Sequence, residues 1–240
     1  MTPAALQTIW VYLAATPLLG LTITLAAYLA GQWLFRKGGR APLLNPVLTA
    51  VVALIVLLKA TATDYQTYFQ GAQFVHFLLG PATVALAVPL YRQVHALRRS
   101  FVALMVALVI GSVTAALSAM VIAAHLGAGR QIVLSLAPKS VTAPIAMGIA
   151  EQIGGLPSLT AALVILTGIT GAVFGTLILD RLGVKDPRAR GLALGTASHG
   201  IGTARALQES ETAGAFSGLA MGLNGVVTAL LVPVLVRLQL

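Results

Sequence analysis

The chain has 240 residues, 58% of them hydrophobic and only 9% charged, with a mean hydropathy of +0.93, against about 25% charged residues in a soluble domain. This composition excludes a soluble enzyme, a fibre and a disordered tail, and describes an all-α integral membrane protein, whose helices satisfy their own backbone in lipid. The net charge of +9 does not indicate nucleic acid, because the basic residues sit between apolar stretches and report topology; with no cysteine, disulfides, thiolate nucleophiles and metal–thiolate sites are excluded.

A crossing needs roughly 20 mostly apolar residues. Six stretches qualify as full spans: 9–34, 43–60, 72–91, 101–126, 156–179 and 212–236. The first has no Lys or Arg before Arg36 and is too long for a signal-peptide core, so it reads as a retained helix. Asn45-Pro46 and Asp186-Pro187 each pair an N-cap residue with proline at the first helical position, which marks two helix starts. Residues 1–240 read as one polytopic domain.

Two further stretches, 131–153 and 191–210, are interrupted by Pro138, Pro144, Gly195, Gly200 and Gly202 and carry Lys139, Glu151, His199, Arg205 and Glu209. Neither makes a comfortable lipid-facing helix. Charge decides how they run. Placing connectors 35–42, 92–100 and 180–190 inside puts Arg36, Lys37, Arg40, Arg92, Arg98, Arg99, Arg181, Lys185, Arg188 and Arg190 in the cytoplasm. That arrangement requires 131–153 to enter and leave on one side. The fold expected is therefore six full spans plus two re-entrant or broken elements approaching the midplane from opposite faces; eight full spans is the alternative. A weak internal match, Pro81-Ala82-Thr83-Val84 against Pro138-Lys139-Ser140-Val141, allows a repeat. Gly214, Gly218 and Gly222, and likewise Gly171 and Gly175, recur every four residues and read as close helix contacts.

Lys139 lies beside Pro138 and just before Ser140, Thr142 and Pro144. A cation near the positive end of a broken helix is unfavourable without an anion, so the segment reads as an anion site. The alternative is a lysine that snorkels to headgroups or pairs with Glu151. Residues 195–205 repeat the oddity: a half-helix starting near Gly202 would hold Arg205 in its first turn and Glu209 at its end. His199 and Thr203, four apart, share a face of such a helix, and the competing reading pairs Arg205 with Glu209. Thr83, at a break beside Pro81, adds either a ligand hydrogen bond or one to its own backbone, and Asn224 reads first as interhelical glue. His76, His95 and His125 have no metal-ligand spacing. Ser198-His199 is not a nucleophile motif, and neither a phosphate loop nor a dinucleotide fingerprint is present. No catalytic residue, metal or cofactor is expected.

The runs LGPATVALAVPLY (79–91), KSVTAPIA (139–146), IGG (153–155), DPRARG (186–191) and GLALGTASHGIGTAR (191–205) resemble the signature stretches of the LrgB/CidB family, in the right order and over nearly the whole chain. The resemblance implies a multi-pass protein of the bacterial plasma (inner) membrane. It also implies a divided function. Bacterial members are described as antiholin-like or holin-like, modulating murein hydrolases and lysis with a small LrgA/CidA-type membrane partner. A plastid relative carries glycolate and glycerate, and bacterial members are linked to pyruvate uptake. Two cationic broken elements favour a carrier, so the reading from sequence is a secondary transporter of small monocarboxylates (pyruvate, lactate, glycolate or glycerate), with the antiholin-like component as the alternative. Lys139 and Arg205 would attract the carboxylate, Ser140, Thr142, Thr83 and Thr203 would hydrogen-bond it, and His199 and Glu151 are candidates for proton coupling. The expected partners are lipid, a small carboxylate, the LrgA/CidA-type protein and further copies of the chain.

Overall fold

The computed structural model describes residues 17–39, 41–78, 81, 84–85, 87–92 and 94–238, and the described residues are helical with short connections. They form two compact units, divided between Ala85 and Leu86.

In the first unit, α1 (Pro17–Lys37) packs on α2 (Pro46–Ala60) and on α3 (Tyr65–Phe77). The Asn45 side chain accepts from the N–H groups of Val47 and Leu48 at 2.9 and 3.3 Å, the cap expected before Pro46. Thr24 and Tyr68 join α1 to α3 through their hydroxyls, 2.7 Å apart.

The second unit contains α4 (Ala87–Arg92), α5 (Val94–His125), α6 (Arg130–Leu136), α7 (Ala143–Ile153), α8 (Pro157–Arg181), α9 (Pro187–Glu209) and α10 (Glu211–Leu238). Among the described residues four helical stretches are long and apolar enough to cross a membrane: Leu18–Lys37, Phe101–His125, Pro157–Arg181 and Glu211–Leu238. Four of the six expected spans thus have a matching helix. The expected span 43–60 holds a shorter helix of 15 residues. Span 72–91 is represented by the end of α3 and by α4, while residues 79, 80, 82, 83 and 86 lie outside the described residues.

The interrupted stretch 131–153 is a helical hairpin. The Leu156 N–H donates to Ser135 Oγ at 2.8 Å and Thr160 Oγ1 donates to Ser135 O at 3.1 Å, so the chain returns beside the point it left. Between them α7, with 11 residues, is about 16 Å long, half the depth of a bilayer core. Its apolar face joins Ala116, Met120, Val164, Val232 and Val236 in the main core.

The stretch 191–210 is a second hairpin, formed within α9. Ser198 (φ −134°, ψ 17°) and His199 (φ 41°, ψ −134°) break the helix, and the return half begins at Gly200, two residues before the expected start. A Cβ on Gly202 would lie 2.4 Å from Leu194 O, and Arg190 pairs with Glu209, so the second half runs back along the first.

The two hairpins stand at opposite ends of α8. Ser135 holds the start of that helix, whereas Arg190 Nη1 donates to Asp180 Oδ1 at 2.7 Å near its end. At 25 residues α8 is roughly 37 Å long, a full membrane depth.

Candidate functional site

Asn224, at the middle of α10 and fully buried, is where the hairpin tips meet. Its Nδ2 donates to Ser140 O at 3.2 Å on the first tip and to Thr196 O at 2.9 Å beside the second. Its Oδ1 accepts from Ser112 Oγ of α5 and from Thr228 Oγ1. One amide thus satisfies all its hydrogen-bonding capacity on four elements, the glue role expected of an asparagine in an apolar helix.

The first tip, residues 137–142, carries Lys139, Ser140 and Thr142. Lys139 Nζ is 3.4 Å from Ser140 Oγ, while Glu151 is exposed near the far end of α7, so the lysine is not tied up by the carboxylate. Thr142 is the N-cap of α7, with extended backbone and no capping bond from its side chain; Pro144 follows in the first turn. The lysine therefore lies just before the half-helix that starts at Ala143, and not in a first turn beside Pro138.

The second tip is seated on bare backbone. A Cβ on Gly168 would come within 2.7 Å of the His199 ring, one on Gly171 within 1.6 Å of Ser198 Oγ and one on Gly175 within 2.7 Å of Leu194. The α8 glycines thus face the outgoing arm of the hairpin in antiparallel order. His199 is buried with Nε2 2.9 Å from Val164 O, one turn before Gly168; donation to this carbonyl fixes the proton on Nε2. A non-glycine at φ +41° is costly and persists where its surroundings over-determine it. Thr203 Oγ1 donates to His199 O at 2.9 Å and lies 2.9 Å from Ser217 Oγ, binding the return arm to α10.

Arg205 lies elsewhere. It is in the second turn of the return arm, with Nη1 donating to Gln208 Oε1 at 3.2 Å and Nη2 to Thr176 Oγ1 at 3.5 Å. Thr176 is three turns along α8 from Val164, about 18 Å toward the Arg181 end. The carboxylate of Glu209 is held by Arg190, at 2.8 and 2.9 Å, whereas the competing reading from sequence paired it with Arg205. Of the sequence candidates, Lys139, Ser140 and Thr142 lie on the first tip and His199 on the second; Thr203 is one turn further along the second hairpin, Arg205 and Glu151 are away from the tips, and Thr83 lies outside the described residues. Sequence reading missed Ser112, Thr196 and Arg190. A serine or threonine in an apolar span is a weak signal, and a pairing between residues 190 and 209 depends on the turn between them.

The LrgB-like family model matches residues 24–238, through both units. The antiholin-like protein LrgB of Bacillus cereus strain B4264 is 35% identical over 218 residues, covering 91% of this chain and 95% of the relative. This chain belongs to the LrgB-like family. The antiholin-like protein LrgB of Bacillus anthracis strain A0248 has the same identity and coverage. These relatives are named as antiholin-like, not as enzymes. No solved structure gives a significant match.

Proposed function

We propose that this LrgB-like protein is an antiholin-like component of a bacterial plasma (inner) membrane, working with a small LrgA/CidA-type membrane partner to restrain murein hydrolase activity. The observation that carries this reading is the family match over residues 24–238 together with the name of relatives 35% identical over 91% of the chain. Four long apolar helices support multi-pass insertion, and the basic residues of 180–190 support a cytoplasmic base for the second hairpin. On that topology the first hairpin enters from the outside. The test is co-expression of the chain with and without the partner, reading murein hydrolase activity and lysis. Restraint that requires both proteins is expected, and unchanged hydrolase activity would overturn the proposal.

A second reading is favoured by one geometric observation: two hairpins from opposite ends of α8 meet tip to tip at Asn224, with Lys139 at one tip and His199 at the other. Carriers build substrate sites from such paired broken helices at mid-depth, with half-helix starts facing an anion. On this reading the chain is a secondary transporter of small monocarboxylates, and Lys139, Ser140 and Thr142 hold the carboxylate beside His199. Uptake of labelled pyruvate and glycolate into proteoliposomes of the purified chain, with and without a pH gradient, decides it. Saturable uptake that is lost in Lys139→Ala supports the carrier, and absence of uptake with the small partner present refutes it.

A further inference from the structure

Thr196, next to the second tip, carries a buried hydroxyl whose hydrogen bonding is left open among the described residues. It is buried, 7% exposed, and its Oγ1 has no hydrogen-bond partner. A hydroxyl on a helix ordinarily escapes that penalty by donating to the carbonyl four residues back. Ser112, Ser135, Thr170 and Thr203 all do so in this protein, at 2.6–2.9 Å. Thr196 does not.

Its position is set by three neighbours. Its carbonyl accepts from Asn224 Nδ2, the nitrogen that also binds the carbonyl of Ser140, the residue after Lys139. The hairpin register, with Leu194 against Gly202, puts Thr196 across from Gly200, where the ten-residue return arm starts. Its Cγ2 methyl faces the bare Cα of Gly111 on α5, where a Cβ would lie 3.2 Å away. The backbone of Thr196 is thus held at the meeting point of the tips, and its open hydroxyl belongs to a residue across from the start of the return half-helix.

The chemistry of the surrounding groups differs from that of Thr196. An ammonium and the N–H groups of a half-helix only donate, which suits a carboxylate; a hydroxyl both donates and accepts, which suits a second oxygen on the adjacent carbon, whether alcohol or ketone. We infer that Thr196 is a specificity-determining residue that reads the oxygen at C2 of a bound small carboxylate, selecting 2-hydroxy and 2-oxo acids over unsubstituted acids of the same length. This rests on the carrier reading above and adds to it the residue and the substrate atom that set selectivity.

Lactate and propionate differ only in the C2 hydroxyl, so their uptake into proteoliposomes is the assay. The wild-type protein is expected to take up lactate about tenfold or more in preference to propionate, the ratio that one buried hydrogen bond supplies. Thr196→Val should abolish the preference while keeping propionate uptake, and Thr196→Ser should retain it. Because the valine removes an unpaired buried hydroxyl without changing shape, the variant should melt at or above the wild-type temperature, which separates lost selectivity from lost folding. Unchanged selectivity in Thr196→Val overturns the role of Thr196 and leaves the carrier standing. Absence of uptake of either acid by the wild-type protein overturns the carrier and this inference with it.

Discussion

Arg190 clasps the base of the second hairpin, and its removal tests whether that base holds the fold. The guanidinium makes two bonds to Glu209, at 2.8 and 2.9 Å, one to Asp180 at 2.7 Å and one to Val184 O at 3.0 Å. Hydrogen bonding to Glu209 outweighs burial and holds Arg190 protonated even more firmly than an ordinary arginine. The Arg190 and Glu209 side chains are only 13% and 19% exposed, so this pair is poorly screened, whereas Asp180 at 63% is largely solvated. Breaking a buried pair costs about 3–5 kcal/mol and an exposed one about 0–1 kcal/mol; discounted for residual solvent, Arg190→Ala should cost about 3 kcal/mol. For a chain of this length that is a fall of roughly 6–12 °C in melting temperature, measured in detergent by loss of the monodisperse peak on heating. Arg190→Lys keeps the charge but not the fork and should recover less than half of the loss. The exchange Arg190→Glu with Glu209→Arg should melt above either single variant. A melting temperature within about 1 °C of wild type for Arg190→Ala would refute the clasp.

Asn224→Leu strands the buried carbonyls of Ser140 and Thr196 and should cost about 3 kcal/mol, seen as a lower melting temperature; a neutral result would mean that the tips do not depend on this amide. Gly195→Ala would place a Cβ 2.2 Å from Ser217 O and force α9 from α10, at about 1–3 kcal/mol, while Gly222→Ala meets nothing within 4 Å and should be neutral or slightly stabilising in the same melt. Hydrogen bonds from Arg188, side chain first and then backbone, hold the Asp186 carboxyl below its ordinary range. Its contribution to capping α9 is therefore present above about pH 4 and lost as pH falls through the lower, folded value. Protection from hydrogen exchange at the first turn of α9, taken relative to the intrinsic rate at each pH, should fall in acid for wild type but not for Asp186→Asn, which keeps the cap without a titrating group; identical protection profiles would count against this.

Much of the architecture is legible in one dimension because its causes are local or additive. Apolar length marks the helices at Phe101–His125, Pro157–Arg181 and Glu211–Leu238, and Asn45 and Asp186 announce their caps before Pro46 and Pro187. Prolines and glycines show that 131–153 and 191–210 cannot run as plain helices, and the tally of basic connectors anticipates two hairpins at opposite ends of α8. The Gly171 and Gly175 spacing likewise announces a close contact. Tertiary structure alone decides which groups meet. The chain reverses at His199, a residue with no intrinsic preference for φ +41°, and from that reversal follow the pairing of Arg190 with Glu209 and the displacement of Arg205 from the tips. Asn224 gathers partners as far as 112 positions away, and Thr196 is left without one, because hydrogen-bond satisfaction belongs to the packed molecule and not to any segment of it.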